Sequence, residues 1–370
     1  MTGGAGAPLH HAGSGLEEAG AREAVEARPD ETAGAREPGE ASQSRGARRP
    51  FGECAPSAAP AVPARDPEAG VTRRQFVVGG GVLVVAAAVA AGFVGWQSWT
   101  VRDRWYRLTG AYGPAGTPPP SYSVTYQKGA LPSRHLAAPA AYDVAWPPGL
   151  ESASASAKAK MPVLICLPGR NRSPEAVLEG GLHLGDYVAD GIEKRGVTPF
   201  VTAAVQGSDT YWHRRAAGDD AMAMLFDEFI PFVRGDLGLG GPLAIMGWSM
   251  GAYGALRAAE LHPSEFTCVC AASAALWRAY DDGVGDAFDS AADYAANDVF
   301  ADVGGLSDVP VRLDCGRQDP FSAADRAFVE ALPQPPAGGF GPGGHNDAFW
   351  SRVAPAEIDW IGGELGRALA

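Results

Sequence analysis

The chain lacks positive charge. It carries 30 Lys and Arg against 43 Asp and Glu, a net charge of −13. That balance excludes a nucleic-acid binder, whose affinity comes from a basic surface that neutralises phosphates. Cysteine is scarce too, with five in 370 residues and no CxxC pair. An odd, sparse set is no disulfide framework. Cys268 and Cys270 stand two apart on one predicted strand, which is poor geometry for bonding each other. All five are expected to be free or only incidentally paired. No His or Cys grouping has zinc-ligand spacing, so no metal is expected. Despite 49 Gly and 30 Pro there is no G-X-Y period, which excludes collagen, and no solenoid or propeller repeat is visible. What is present is 46% hydrophobic residues, enough for a sizeable core. The length exceeds that of a usual domain, so one large domain or a domain with appendages is expected.

Large apolar residues are rare in residues 1–71, which are rich in Gly, Ala, Pro, Glu and Arg. Such a segment cannot bury enough surface to offset its chain entropy, and it reads as a disordered tail. A start codon set too early is the alternative. Residues 72–100 form the next unit. Thr72-Arg73-Arg74-Gln75-Phe76-Val77 resembles the twin-arginine export motif. The run Val77–Trp96 then has no charge over 20 residues, long enough to cross roughly 30 Å of hydrocarbon as a helix. It reads as a transmembrane anchor or export signal. Ala88-Val89-Ala90 offers a cleavage pattern, but the apolar stretch after it favours retention. The expected place is the cell membrane, with the rest of the chain outside the cytoplasm, or secreted if the signal is cleaved. Arg102, Arg104 and Arg107 on the far flank weaken that orientation.

Residues 101–160 read as a linker rich in Pro, Ser and Ala. Ser121–Lys128 and Ala141–Trp146 alternate as lead-in strands, and Glu151–Lys160 reads as a polar loop. From residue 161 to 370 the pattern changes. Short continuous apolar runs at Met161–Leu167, Phe200–Val205, Leu243–Gly247, Phe266–Ala272 and Val309–Asp314 suit strands buried on both faces. Helices are predicted from Ser173 with interruptions to Arg195, and over Asp219–Arg234, Met250–Leu261, Ser322–Leu332 and Pro355–Leu369. This alternation predicts an α/β fold: a mostly parallel sheet with helices on both faces.

Gly247-Trp248-Ser249-Met250-Gly251 fits G-x-S-x-G between an apolar strand and an Ala-rich helix. So sharp a turn crowds side chains, and glycines two before and two after the Ser relieve it and expose the hydroxyl. Ser249 is the expected nucleophile. A Ser hydroxyl needs a base, and the base an orienting acid. In the order Ser, acid, His, the base is His345 in a Gly-rich loop, with His262 read as a helix-end residue. Asp319 follows the strand Val309–Asp314 and is the expected acid. Asp314 is the rival, and Asp347 is too close to His345 in sequence. Two backbone N–H groups should meet the oxyanion: Met250, next after the nucleophile, and Arg170, in the loop after the first strand. Tyr211, Trp212 and His213 are expected to line a substrate pocket, with a structural hydrogen bond the alternative for His213, and Trp277 is expected to line it from an apolar insertion spanning Ala274–Asp302.

These residues carry a resemblance. Leu167-Pro168-Gly169-Arg170, Tyr211-Trp212-His213-Arg214, Gly247-Trp248-Ser249-Met250-Gly251, Cys315-Gly316 through Asp319-Pro320-Phe321 and Gly343-Gly344-His345 occur in order. Together they are similar to the esterase D-like branch of the α/β-hydrolase superfamily, and to its exported actinobacterial members. That branch includes mycolyltransferases, whose second oxyanion amide falls where Arg170 stands. Leu-Pro-Gly replaces the commoner His-Gly of the first-strand loop. The resemblance implies an α/β-hydrolase fold and a serine esterase, with a Ser249-Asp319-His345 triad and an acyl-enzyme. It implies no cofactor, and its substrate is a small-molecule or lipid ester. The alternatives are an acyltransferase to a sugar or lipid alcohol and a non-catalytic envelope binding protein on the same fold. Residues 77–96 are the expected membrane contact, and no nucleic-acid partner is expected.

Overall fold

The computed structural model describes residues 99–280 and 283–370, without the side chains of the first two. The expected tail, the Arg73-Arg74 pair and the run Val77–Trp96 lie outside the described residues. Among the described residues no helix is long and apolar enough to cross a membrane.

Eight strands form one sheet: β1 (Thr125–Leu131), β2 (Ala140–Trp146), β3 (Val163–Leu167), β4 (Val201–Val205), β5 (Leu243–Trp248), β6 (Phe266–Ala272), β7 (Val311–Gly316) and β8 (Ala337–Gly341). Their order is β1-β2-β4-β3-β5-β6-β7-β8. β2 runs antiparallel to both β1 and β4, and every pair from β4 to β8 is parallel. β3, β4 and β5 are buried at every position. That is why they read as unbroken apolar runs: helices cover both faces of a parallel sheet. Two apolar layers result. Ile165, Ile245, Val269 and Leu313 point into one, and Leu164, Met246, Cys270 and Phe200 into the other.

β1 and β2 are hydrogen-bonded members of this sheet, so the stretch read as a linker supplies a quarter of its strands. β8 was not expected. Its sequence Ala-Gly-Gly-Phe-Gly has no alternation. Gly338 has φ +88°, and a Cβ there would sit 2.4 Å from Leu313 O, so β8 lies against β7 only because that Cβ is missing.

The helices are α1 (Trp99–Leu108), α2 (Ala155–Lys158), α3 (Pro174–Leu178), α4 (Leu184–Arg195), α5 (Ala221–Met224), α6 (Ile230–Gly235), α7 (Met250–Leu261), α8 (Ala291–Ala296), α9 (Ser322–Ala331) and α10 (Asp347–Leu369). Residues 221–235 match the predicted amphipathic helix, but a π-helical turn, Leu225–Phe229, separates α5 from α6. It ends two residues before Pro231, whose missing N–H breaks the regular ladder. α10 begins eight residues earlier than predicted, capped by the Asn346 side chain, and runs through Pro355. Pro355 cannot bond to the carbonyl of Ser351 four residues before it. That carbonyl instead accepts the Tyr187 hydroxyl at 2.9 Å. The polar loop at 151–160 contains one short helical turn, α2.

Candidate active site

β5 enters a turn at Ser249 that few residues can adopt. Ser249 has φ +55° and ψ −119°, a backbone strain that must be held from outside. Its N–H donates to Ala272 O at 3.0 Å, and its carbonyl accepts the N–H groups of Tyr253 and Ala275, both at 3.1 Å. The flanking glycines are sterically required. A Cβ on Gly247 would lie 2.3 Å from the Gly251 backbone, and one on Gly251 would lie 1.9 Å from Leu167 O.

Asp319 follows β7, and His345 follows β8. Backbone bonds join their two loops: Arg317 N–H to Gly341 O at 2.7 Å and Gln318 N–H to Gly343 O at 2.9 Å. The Gln318 side chain accepts the Gly343 N–H at 3.0 Å. His345 Nδ1 lies 2.9 Å from Asp319 Oδ2, and its Nε2 lies 2.8 Å from Ser249 Oγ. The other carboxyl oxygen, Asp319 Oδ1, accepts the Phe321 N–H at 2.9 Å. The Asp319 side chain is fully buried, whereas the imidazole keeps 21% of its surface exposed. Trp350 and Phe321 flank the ring, with centroids 5.2 and 5.4 Å away. The Trp350 indole N–H donates to Ser273 Oγ at 3.0 Å. The three residues read from chain order thus converge at the carboxyl edge of the sheet.

The rivals go elsewhere. Asp314 accepts from Arg312 at 2.7 Å, and burial pushes its carboxyl above the usual range. Asp347 accepts from Arg172 at 2.7 and 2.9 Å. His262 packs against the Phe226 ring at the end of α7.

Both expected oxyanion amides border the elbow. Met250 is the first residue of α7, so its N–H has no acceptor within its own helix. The 168–170 loop passes over the Ser: a Cβ on Gly169 would lie 3.6 Å from Ser249 Cβ. The Arg170 side chain is no loose surface charge. It donates to both oxygens of Asp286, at 2.7 and 2.5 Å, tying this loop to the 274–302 insertion.

The expected substrate residues divide. Trp212 is 1% exposed, and a Cβ on Gly207 or Gly254 would meet its ring at 2.7 or 2.4 Å. It is a packing wedge in the core, and with His213 it also borders a cavity of about 340 Å³ whose lining includes none of the triad. His213 is buried as well. Its Nδ1 lies 2.9 Å from Tyr211 O, its Nε2 lies 3.2 Å from Asp293 Oδ2, and its ring stacks on Phe288. Trp277 stands between Tyr211 and Phe321, with centroids 5.5 and 5.4 Å away. An aromatic row therefore runs from Tyr211 through Trp277 and Phe321 to His345. The insertion is not a free-standing lid, since Leu276, Phe288 and Tyr294 join the main core. Sequence reasoning missed Gln318, Phe321 and Trp350 as neighbours of the site; only their closeness to Asp319 and His345 pointed to them.

Two cavities border the row. One of about 520 Å³ is walled by His345, Trp350, Arg172, Tyr112, Arg107 and Tyr106. Another of about 360 Å³ lies against Leu276, Trp277, Pro320 and Phe321. Among the described residues no group of His, Cys, Asp and Glu could hold a metal ion. Cys166, Cys268, Cys270 and Cys315 are free and buried, and burial pushes their thiols upward. Cys54 lies outside the described residues.

A family model described as "Putative esterase" matches residues 145–333, just over half of the chain. The chain belongs to this esterase family. Membership supports hydrolysis of a carboxylic ester as the class of reaction of this esterase. No curated protein matches the sequence. Among solved structures the esterase is similar to a ferulic acid esterase, at 20% identity and TM-score 0.57, over 66% of this chain and 100% of that one. It is also similar to FphF, a fluorophosphonate-binding serine hydrolase of Staphylococcus aureus, at 16% identity and TM-score 0.52, over 65% and 98%. An S-formylglutathione hydrolase from Agrobacterium tumefaciens matches at 15% identity and TM-score 0.52, over 68% and 99%. At these identities the likeness is one of fold.

Proposed function

We propose that the chain is a serine hydrolase that cleaves carboxylic esters through an acyl-enzyme. The observation that carries this reading is the Ser249–His345–Asp319 chain of contacts at 2.8 and 2.9 Å. Ser249 Oγ attacks the ester carbonyl while His345 Nε2 takes its proton. Asp319 accepts the His345 Nδ1–H, fixes the tautomer and offsets the imidazolium charge. The backbone N–H groups of Met250 and Arg170 receive the oxyanion, the largest single electrostatic contribution in such reactions. As the tetrahedral intermediate collapses, imidazolium gives its proton to the departing alcohol. Water, deprotonated by the same imidazole, then releases the acid. No step calls for a metal or organic cofactor.

We also place the catalytic domain outside the cytoplasm, held at the membrane by residues 77–96. The support is the Arg73-Arg74 pair before 20 uncharged residues.

The test is a fluorophosphonate probe on folded protein. Wild type should be labelled and Ser249→Ala should not, with ester hydrolysis lost in parallel. Absence of labelling in folded, monodisperse wild type would point to a scaffold without activity. Product analysis with an added alcohol separates hydrolysis from acyl transfer.

A further inference from the structure

Residues 106–116 close α1 and continue as a loop, inside the stretch that reads from sequence as a linker. They are built into the loop that carries His345. The Tyr112 ring packs on Gly344, where a Cβ would sit 2.5 Å from Tyr112 Cε1. Only a glycine lets the ring lie so close to the backbone beside His345. Gly116 N–H donates to Ala348 O at 2.9 Å, and a Cβ on Gly116 would run into the Arg352 backbone N. The Arg352 guanidinium donates to Tyr112 O at 3.2 Å, and to Pro114 O and Pro342 O. The Tyr112 hydroxyl in turn donates to Asp103 at 2.6 Å.

The cavity of about 520 Å³ is lined by this segment and by the first turn of α10, and its size is that of a small-molecule site. Tyr106 and Tyr112 come from the segment, Trp350 comes from α10, and His345 belongs to the same lining. The Tyr106 and Tyr112 rings meet edge-on at 5.7 Å. Both guanidinium groups of the lining are already paired: Arg107 with Asp103 at 2.8 Å, and Arg172 with Asp347 at 2.7 and 2.9 Å. Aromatic rings beside paired charges suit a neutral ring compound better than an anion, which would have to displace a carboxylate.

We propose that this cavity receives the alcohol half of the ester, that the alcohol is neutral and bears a ring, and that residues 106–116 are the wall that selects it. The inference rests on the ester-hydrolase reading above. In that reaction the bond from the acyl carbon to the alcohol oxygen breaks while His345 Nε2 gives its proton to that oxygen. The alcohol half must therefore lie beside the imidazole, and the cavity that has the imidazole in its lining is where the rest of the alcohol can extend.

Three esters test it: ethyl acetate, 2-naphthylmethyl acetate and ethyl 2-naphthylacetate. The second enlarges only the alcohol, the third only the acyl group. Ala115 and Ala348 line the cavity from its two walls and are exposed, so a larger side chain at either fills the cavity without entering the core. In full-length Ala115→Trp and Ala348→Trp, with thermal unfolding as the check on folding, the ratio of kcat/KM for 2-naphthylmethyl acetate to that for ethyl acetate should fall about tenfold or more. The ratio for ethyl 2-naphthylacetate to ethyl acetate should hold within about twofold. Wild type should also favour 2-naphthylmethyl acetate over its ring-carboxylated analogue by about fivefold or more, since the carboxylate would be desolvated without a partner. An alcohol ratio unmoved in both folded variants overturns the inference, as does an acyl ratio that falls as far as the alcohol ratio. Preference for the carboxylated ester overturns the neutral assignment. Each of these results comes from an active wild type and leaves the hydrolase reading standing. A wild type that hydrolyses none of the three esters defeats that reading, and this inference with it.

Discussion

Replacing Asp319 with Asn changes one oxygen into an amide nitrogen and almost nothing in size. The surroundings decide which end goes where. Asp319 Oδ1 accepts the Phe321 N–H at 2.9 Å, a site that only an oxygen can occupy. The new NH2 must then take the Oδ2 position, 2.9 Å from His345 Nδ1. It is a donor, so Nδ1 has to become the acceptor and the ring proton moves to Nε2. There it faces Ser249 Oγ at 2.8 Å. An Nε2–H cannot receive the proton of the Ser hydroxyl, so the attack loses its base. The other tautomer would set two donors against each other in a fully buried position, which costs about 1–3 kcal/mol. A wrong-tautomer substitution of this kind in the serine protease triad lowers kcat about 10⁴-fold, or roughly 5.5 kcal/mol of transition-state stabilisation. The assay is kcat and KM on a soluble acetate ester at neutral pH, with thermal unfolding as a control. The expected outcome is a fall of three to four decades in kcat with little change in KM or unfolding temperature. A folded Asp319→Asn that keeps more than about a tenth of the wild-type kcat would refute the assignment of Asp319 and the tautomer argument with it.

Gly251→Ala should destabilise the fold by about 3 kcal/mol or more, because its Cβ would lie 1.9 Å from Leu167 O and backbone cannot step aside. Gly180→Ala, where nothing lies within 4 Å, is the control and should stay within about 0.5 kcal/mol of wild type in urea unfolding. Glu260 supplies a pH signature: burial pushes its carboxyl from 4.5 to about 8, only partly offset by Arg257. A raised carboxyl binds its proton in the folded state and not in the unfolded one across that window. The contribution of this group is therefore fully present below pH 4.5 and is lost toward pH 8 at about 1.4 kcal/mol per unit, up to about 5 kcal/mol. Glu260→Gln should remove most of that slope, so its stability relative to wild type should rise between pH 5 and 8 in denaturant titrations; a constant difference would show that Glu260 titrates normally.

The central strands were legible because burial on both faces leaves an unbroken apolar run, and β3 through β7 fall within two residues of their predicted limits. The triad was legible for a related reason. In a parallel sheet the strand ends share one edge, so strand ends already place Ser249 and Asp319 together, and chain order with its Gly-rich loop adds His345. What failed was information that local pattern does not carry. β8 has neither alternation nor large side chains, and only its pairing with β7 makes it a strand. The start of α10 was hidden by Pro355, whose cost is met by the Tyr187 hydroxyl from a helix over 160 residues away in sequence. His213 makes the structural hydrogen bonds that were its alternative reading, while Trp212 was read as a pocket residue because an aromatic pair beside a His looks the same whether it faces a substrate or the core. The glycines that decide the matter, Gly207 and Gly254, lie on either side of Trp212 and far apart in sequence.

The site divides into two mechanically distinct halves. Ser249 is anchored to β6 and the segment after it, through Ala272 O and the Ala275 N–H. Asp319 and His345 belong to the other half, where the Arg317 and Gln318 amides and the Gln318 side chain lock the two loops to each other. Acid and base are therefore held to each other by their own two loops, through the 2.9 Å contact between them. The halves are joined by the β6–β7 pairing and by Trp350 on Ser273, and the contact that carries the chemistry is His345 Nε2 to Ser249 Oγ. It is also the contact across which a proton must pass, and a shift of about 1 Å there is enough to cost about 10²-fold in rate. Ring packing guards it from both sides. Trp350 is fixed through Ser273, itself held by Asp314 O, and Phe321 is fixed through Asp319. The strained Ser backbone and the Gly-rich His loop are thus each stabilised by neighbours outside the triad.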